Sequence, residues 1–479
     1  MFVSKSLRDP AVTDLGGRSP WDSQPQEFGY RVDEIEGRLP EGLRGELYRI
    51  GPGRFDVGAH PVAHVFDGDG MVSRLAIDEH GVHFRNRYVR TREYRRTSAG
   101  APLGRGFGTQ RAGGALANAF RPPANMSNTN VLVHDDRLYS LWEGGRPYRL
   151  DPRTLETHGA ESFGGALKRM GAFSAHPKRD PVSGEIYNFG FDFFPRPMIR
   201  CYRLTGGRLK DIASVPIRQF SFVHDFALTE RHLVFVIAPI VVNRPISAVL
   251  GLSSIDRAMS YEPRLGTTIV LVPRAGGAPI TVETEALFHF HVTNAYETDT
   301  ATAVELVTHD PGRGWSGWNG HLRRYRTDPG PAFGGQLTRL TIDRRSTRVT
   351  REVLHDNGCE FPQLDQRYAT RPHRYSYVAA ASAHGGDPDS ITTIDHDTGR
   401  SHTYTTAPGD TVCEPLFAPS EGGTEGDGWL LTFEHQPATK RTRVQVLPAD
   451  RPDRGPIATI RLRHHVPMTF HGAFVPARR

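Results

Sequence analysis

The sequence predicts an all-β fold closed into a β-propeller, and three observations carry that prediction. Apolar runs are mostly four to eight residues long, β-branched or aromatic, and end at Gly, Pro, Asp or Asn, the signature of strands joined by tight turns. A turn unit of Asp, Thr and Gly recurs: Leu150-Asp151-Pro152-Arg153-Thr154, Ile342-Asp343-Arg344-Arg345-Ser346-Thr347, and Ile394-Asp395-His396-Asp397-Thr398-Gly399. In such units the Asp and Thr side chains bond neighbouring backbone amides. Finally, 50 Gly and 36 Pro are spread over 479 residues with no low-complexity linker, so hairpins repeat through one continuous unit. A tandem of β-sandwiches is the competing architecture, and the periodicity is too weak to give a blade count.

In chain order the expected strands are 137–142 with 148–150, then 199–204, 232–237, 267–272, 303–307, 336–342, 374–379, 429–433 and 457–462. Earlier, Leu43 to Phe55 leads into His64-Val65-Phe66-Asp67-Gly68-Asp69-Gly70-Met71, where Asp-Gly-Asp-Gly is expected to form a tight turn using glycine at positive φ. Residues 104–108 are Gly-rich but neither follow a strand nor open a helix as a dinucleotide loop must, so a flexible loop is expected there. The expected organisation is an N-terminal extension over 1–30 and a single propeller catalytic domain over 31–479.

Charge and cysteine usage exclude several function classes. Lys and Arg outnumber Asp and Glu by 59 to 53, but the excess is dispersed; 44–49 and 85–96 are the densest basic regions, so no nucleic-acid partner is expected. Cys201, Cys359 and Cys413 share no metal or disulfide spacing, which suits a reducing compartment. The N-terminus lacks a signal-peptide core and no run approaches a membrane span, so a cytoplasmic protein is expected. The most apolar stretch, 239–252, reads either as a membrane-dipping tunnel mouth, giving peripheral membrane contact, or as a strand and buried loop.

Four histidines stand in strand-like contexts that look placed: His176 in Ser-Ala-His-Pro, His224 in Phe-Val-His-Asp-Phe, His291 in Phe-His-Val-Thr-Asn and His471 in Thr-Phe-His-Gly. Neutral imidazole is the usual nitrogen ligand of first-row metals and leaves the metal charge uncancelled. A lone His is more often a hydrogen-bonded core residue; four such contexts together favour a metal site. In a propeller, one inward residue per blade can meet its partners on the axis whatever the sequence separation. His289 shares a face with His291 on a regular strand and is its rival.

Taken in order, these strings are similar to the carotenoid cleavage oxygenase family. The resemblance rests on the 43–55 segment, Asp67 to Met71, Asn128-Thr129-Asn130, Leu141-Trp142-Glu143, His224-Asp225-Phe226, Asn294-Ala295-Tyr296-Glu297, Glu360-Phe361-Pro362 and His471-Gly472, from about residue 30 to the last few. It implies a seven-bladed propeller under a dome of loops and helices, with axial iron(II), Fe(2+), held by His176, His224, His291 and His471. His291 is preferred over His289 because it lies three residues before Asn294. The resemblance further implies glutamates that anchor the ligand rings, matched here by Glu143, Glu360 and Glu414. Glu297 and Glu434 are expected to be structural.

The implied partners are O2 and an apolar conjugated alkene, cleaved to two carbonyl products without a reductant. Phe107, Phe120, Trp142, Phe173 and Phe290 are candidate tunnel residues. Stilbene-cleaving members grip a phenol with Tyr and Lys where Gln110 and Ala124 stand here, so a carotenoid or apocarotenoid is expected. The alternatives are a stilbene or phenylpropanoid substrate, a non-catalytic lipid- or protein-binding propeller, and zinc hydrolysis.

Overall fold

A computed structural model describes residues 19–193, 196–217, 220–312, 314–325, 334–382 and 387–477. Antiparallel sheets follow one another along the chain, and each expected strand is present. Inner and outer strands differ as their sequences require. Gly81–Tyr88 alternates buried with half-buried residues, whereas Gly45–Arg54 is buried along nearly its whole length because it packs on both faces.

The sheets make seven blades. The first holds Gly29–Val32, Gly45–Arg54, Asp69–Asp78, Gly81–Tyr88 and His471–Pro476; the second spans 130–160, the third 178–216 and the fourth 227–284. A continuous seven-stranded sheet over 288–405 bends into the fifth and sixth blades, which share the long strand Val349–Gln363, whose pairing slips beyond Glu360. The seventh spans 411–461 and takes Ile35–Gly37 as its outer strand. Ring closure is therefore double. An N-terminal strand completes the last blade, while His471–Pro476 pairs with Gly45–Arg54 in the first, from Ile50 opposite His471 to Gly45 opposite Pro476.

Apolar clusters fill the spaces between blades; Phe189 and Phe226, for instance, meet Phe235 between the third and fourth. Complete burial of one such ring stabilises by about 1.5–3 kcal/mol. Of the expected N-terminal extension, 1–18 lies outside the described residues. Trp21 and Phe28 are core residues, Trp21 edge-on to Phe55 and Tyr325 and Phe28 stacked on His464.

The Asp-Gly-Asp-Gly segment departs from expectation. Val65–Asp67 is a short 3-10 turn, Asp69 already opens a strand, and Gly68 has φ −71°. Close approach, not positive φ, demands the second glycine, since a Cβ on Gly70 would lie 2.1 Å from the Ser127 carbonyl oxygen. Nor is the 104–108 loop loose: buried Asp67 accepts hydrogen bonds from the amides of Phe107, Gly108 and Thr109. This loop joins the dome, which also contains helix Gly314–Arg323. Asn319 and Arg323 both hydrogen-bond buried Asp256, and Trp315 donates its indole N–H to the Asp256 carbonyl.

Candidate metal centre

The four histidines stand at the heads of the strands that face the axis. His176 and His224 lie in extended chain just before Lys178–Arg179 and Ala227–Leu228, His291 lies within Phe288–Glu297, and His471 opens the last strand. Asn130, from the Asn-Thr-Asn motif, donates to the Ala175 carbonyl and so fixes the chain entering His176. The four ligand atoms all fall within 4.8 Å of one another, and all four side chains are buried. Nε2 separations are 2.9 Å for His176 to His224, 3.2 Å for His224 to His291 and 3.1 Å for His291 to His471.

Those distances fit a metal. Bonds of about 2.1 Å from a first-row ion to imidazole nitrogen set adjacent octahedral ligands ~3.0 Å apart. Hydrogen bonding among the rings does not explain them. His291 Nδ1 lies 2.5 Å from Glu360 Oε2 and His471 Nδ1 2.9 Å from Glu414 Oε1, which places each ring proton on Nδ1 and leaves Nε2 a bare lone pair. His224 Nδ1 is 2.9 Å from Glu143 Oε1, though off the line of a straight hydrogen bond. Converging lone pairs repel unless a cation sits between them.

The surrounding carboxylates are themselves held. Glu360 Oε1 meets His309 Nε2 at 2.8 Å and its Oε2 accepts from the Phe361 amide. Glu414 pairs with fully buried Arg49 at 2.9 Å and accepts from Gln363. Asp225 pairs with Lys178. Formally, Glu143, Glu360, Glu414 and Asp225 against Arg49 and Lys178 leave two negative charges unbalanced, the complement of a divalent ion.

Titration directions agree with this electrostatic picture. Burial costs Glu360 and Glu414 charge, but the ring each faces outweighs it, holding Glu360 well below and Glu414 below the usual carboxylate range. Burial, reinforced by the neighbouring imidazoles, holds His176 well below its ordinary value; burial also lowers His291 despite Glu360. Burial acts the same way on His224, yet Glu143 and Asp225 reverse it and push this ring up.

Above the rings stands an aromatic wall. Phe290 lies 4.6 Å from the His224 ring and 4.0 Å from Trp318, tilted by 30° to it, while Phe222 and Trp315 continue the surface to Phe107. Of the candidate tunnel residues, Phe107 and Phe290 are here. Phe173 belongs instead to the core with Tyr139, Phe163 and Tyr202, Trp142 is buried over Gly144, and Phe120 is 77% exposed. Phe222, Trp315 and Trp318 lie outside the sequence expectation: Trp315 and Trp318 belong to no motif, whereas the position of Phe222 two residues before His224 is a signal that could have found it. His289 stays outside the cluster, its Nε2 2.7 Å from the Val236 carbonyl oxygen. Glu297 binds Thr229 and His232, and Glu434 binds Arg443 and Gln445, in structural networks away from the four rings. A further cluster joins buried Glu305 and His373 with half-buried His396. There Asn294 donates to His373 Nδ1, leaving the ring proton on Nε2, the face a metal would need.

Comparison with known proteins matches this arrangement. The family model described as RPE65, retinal pigment epithelial membrane protein, matches residues 21–476. An apocarotenoid-15,15'-oxygenase of Synechocystis is 34% identical over 95% of this chain and 95% of its own length. Resveratrol cleavage oxygenase 1 of Aspergillus fumigatus is 29% identical, covering 96% of this chain and 97% of that one. The solved structure of cobalt-substituted Synechocystis ACO superposes with a TM-score of 0.87 at 33% identity, covering 96% of this chain and 98% of that one. With its blades, four-histidine cluster and near full-length matches, the chain belongs to the RPE65, or carotenoid cleavage oxygenase, family of oxidoreductases.

Proposed function

We propose that this protein uses O2 to cleave a conjugated C=C bond of a carotenoid or apocarotenoid into two carbonyl products. His176, His224, His291 and His471 would hold iron(II), and Glu143, Glu360 and Glu414 would orient their rings. The observation that carries this reading is the convergence of four Nε2 atoms beneath an aromatic wall. Iron(II), when bound, supplies activation of dioxygen, with coordination positions beyond the four imidazoles free for it. The chain's own groups do the rest. The carboxylates keep the imidazoles in one tautomer, and Phe290, Phe222 and Trp318 offer flat apolar faces to a polyene while excluding water. Splitting C=C to two C=O releases four electrons and reduction of O2 consumes four, so no further reductant is required.

Gln110 supports a polyene over a hydroxystilbene. Its side-chain amide is committed to the Gly251 carbonyl, and Ala124 offers no polar group to a phenol. Incubation of the iron-loaded protein under air with apocarotenals and with hydroxystilbenes, followed by aldehyde analysis, tests this. Aldehydes from the apocarotenal are expected; turnover of the stilbene alone would overturn the substrate assignment.

We further read residues 31–479 as a single catalytic domain with 19–30 strapped onto it, in a cytoplasmic protein that touches membrane surfaces. Among the described residues no helix is long and apolar enough to cross a membrane. Leu116, Phe120, Ile246, Val249 and Leu252 are exposed on and around two short helices, Gly114–Asn118 and Pro245–Val249, linked by the Phe120 amide to the Val249 carbonyl. No acid occurs between Glu93 and Asp135 or between Glu230 and Asp256, while Arg111, Arg121 and Arg244 lie in the same two segments. Exposed apolar side chains on segments that carry cations and no acids of their own fit an anionic lipid interface.

A further inference from the structure

Asp225 is buried beneath the histidine cluster and takes no part in the carboxylate-to-ring pairing just described. Its Oδ1 accepts from the Phe226 amide at 2.7 Å and pairs with Lys178 Nζ at 2.8 Å; its Oδ2 accepts from the Val292 amide at 2.8 Å. Lys178 lies two residues after His176, Asp225 itself follows His224, and Val292 follows His291. One carboxylate therefore ties together the ligand-bearing segments of the third, fourth and fifth blades. The link to Val292 falls where the fifth blade's pairing slips between His289 and Val292, so this amide is not committed to a regular ladder. With Lys178 and the Phe226 amide on Oδ1, that oxygen has no lone pair left for His176, whose Nδ1 stands 4.0 Å away.

We propose that Asp225 is a positioning residue of the metal centre, holding His224 and His291 at coordinating separation through the backbone rather than through their rings. This rests on the reading of the four histidines as metal ligands. Removal of a partner that orients ligands typically weakens metal binding about 10–100-fold. Asp225→Asn is nearly isosteric, but its amide can accept at one position only and turns N–H toward N–H at the other, cutting the tie to the fifth blade. Lys178→Met keeps both backbone ties and removes the charge together with the side-chain link to the third blade.

Titration of the metal-free full-length proteins with cobalt(II), followed by ligand-field absorption, tests this without reference to turnover. Asp225→Asn is expected to raise the cobalt dissociation constant by about 10–100-fold and shift the absorption bands, with Lys178→Met within about threefold of the parent and unshifted. Asp225→Asn binding and absorbing as the parent does would overturn the proposal. So would Lys178→Met tightening binding by a comparable factor, since the net charge of the site and not backbone registration would then set the affinity. A parent protein that takes up no cobalt would overturn the metal reading itself, and this inference with it.

Discussion

His289 and His291 stand two residues apart on one strand, yet one ring binds a backbone carbonyl and the other joins the histidine cluster. A regular strand would aim both at one face. The pairing slips between His289 and Val292, which separates their surroundings. His291→Ala is therefore expected to reduce bound metal to a small fraction of the parent level. His289→Ala should keep stoichiometric metal and lose about 1–3 kcal/mol of stability, because the buried Val236 carbonyl loses its donor. Metal analysis with thermal unfolding separates the two, and the opposite pattern would exchange their assignments. The four histidines and three glutamates were legible in the sequence because each sits in a distinctive string. Arg49, His309, Lys178 and the tying role of Asp225 were not. Arg49 meets Glu414 across 365 residues, and no local pattern announces a partner that far away.

At the level of elements, the strands were legible because alternation and turn chemistry act over a few residues. Short helices were not, since Gly114–Asn118 and Pro245–Val249 are too brief for a helical period to develop. The 239–252 stretch, readable as a tunnel mouth or as a strand and buried loop, is a strand followed by an exposed segment: Ile240–Val242 pairs with Met259–Tyr261 and is largely buried, while Ile246, Val249 and Leu252 are exposed. Arg105 joins the two helices, donating to the carbonyls of Asn118 and Ala248. They should thus act together on a lipid surface. Phe120→Ser combined with Ile246→Ser is expected to cut binding to phosphatidylserine-containing vesicles by about tenfold or more, given about 1.5–3 kcal/mol per large apolar side chain fully buried. Metal content should be unchanged. Co-sedimentation checks this, and undiminished binding by the double variant would remove the membrane assignment from this surface.

Across the whole molecule the four clustered rings and the three glutamates facing them come one from every blade. His471 comes from the first, Glu143 from the second, His176, His224 and His291 from the third to fifth, Glu360 from the sixth and Glu414 from the seventh. A blade count could not be read from the weak repeat, yet the chemistry uses the count completely, and a displaced blade would remove either a ring or the carboxylate behind one. Closure and histidine cluster meet in His471–Pro476, where the strand that seals the ring also starts with one of the four clustered rings. The two roles are separable. With metal stripped from all proteins, His471→Ala should lose only its one buried hydrogen bond to Glu414, about 1–3 kcal/mol, and melt above the truncated chain, since pairing of the strand with Gly45–Arg54 uses backbone groups. Truncation before Phe470 exposes the long edge of Gly45–Arg54 and should lower the midpoint by about 5 °C or more, in keeping with ~2–4 °C per kcal/mol for large domains. Calorimetry of the three apoproteins decides the matter: a truncated chain that melts with the parent would mean the ring is not sealed by this strand, and one-residue-per-blade assembly would lose its structural basis.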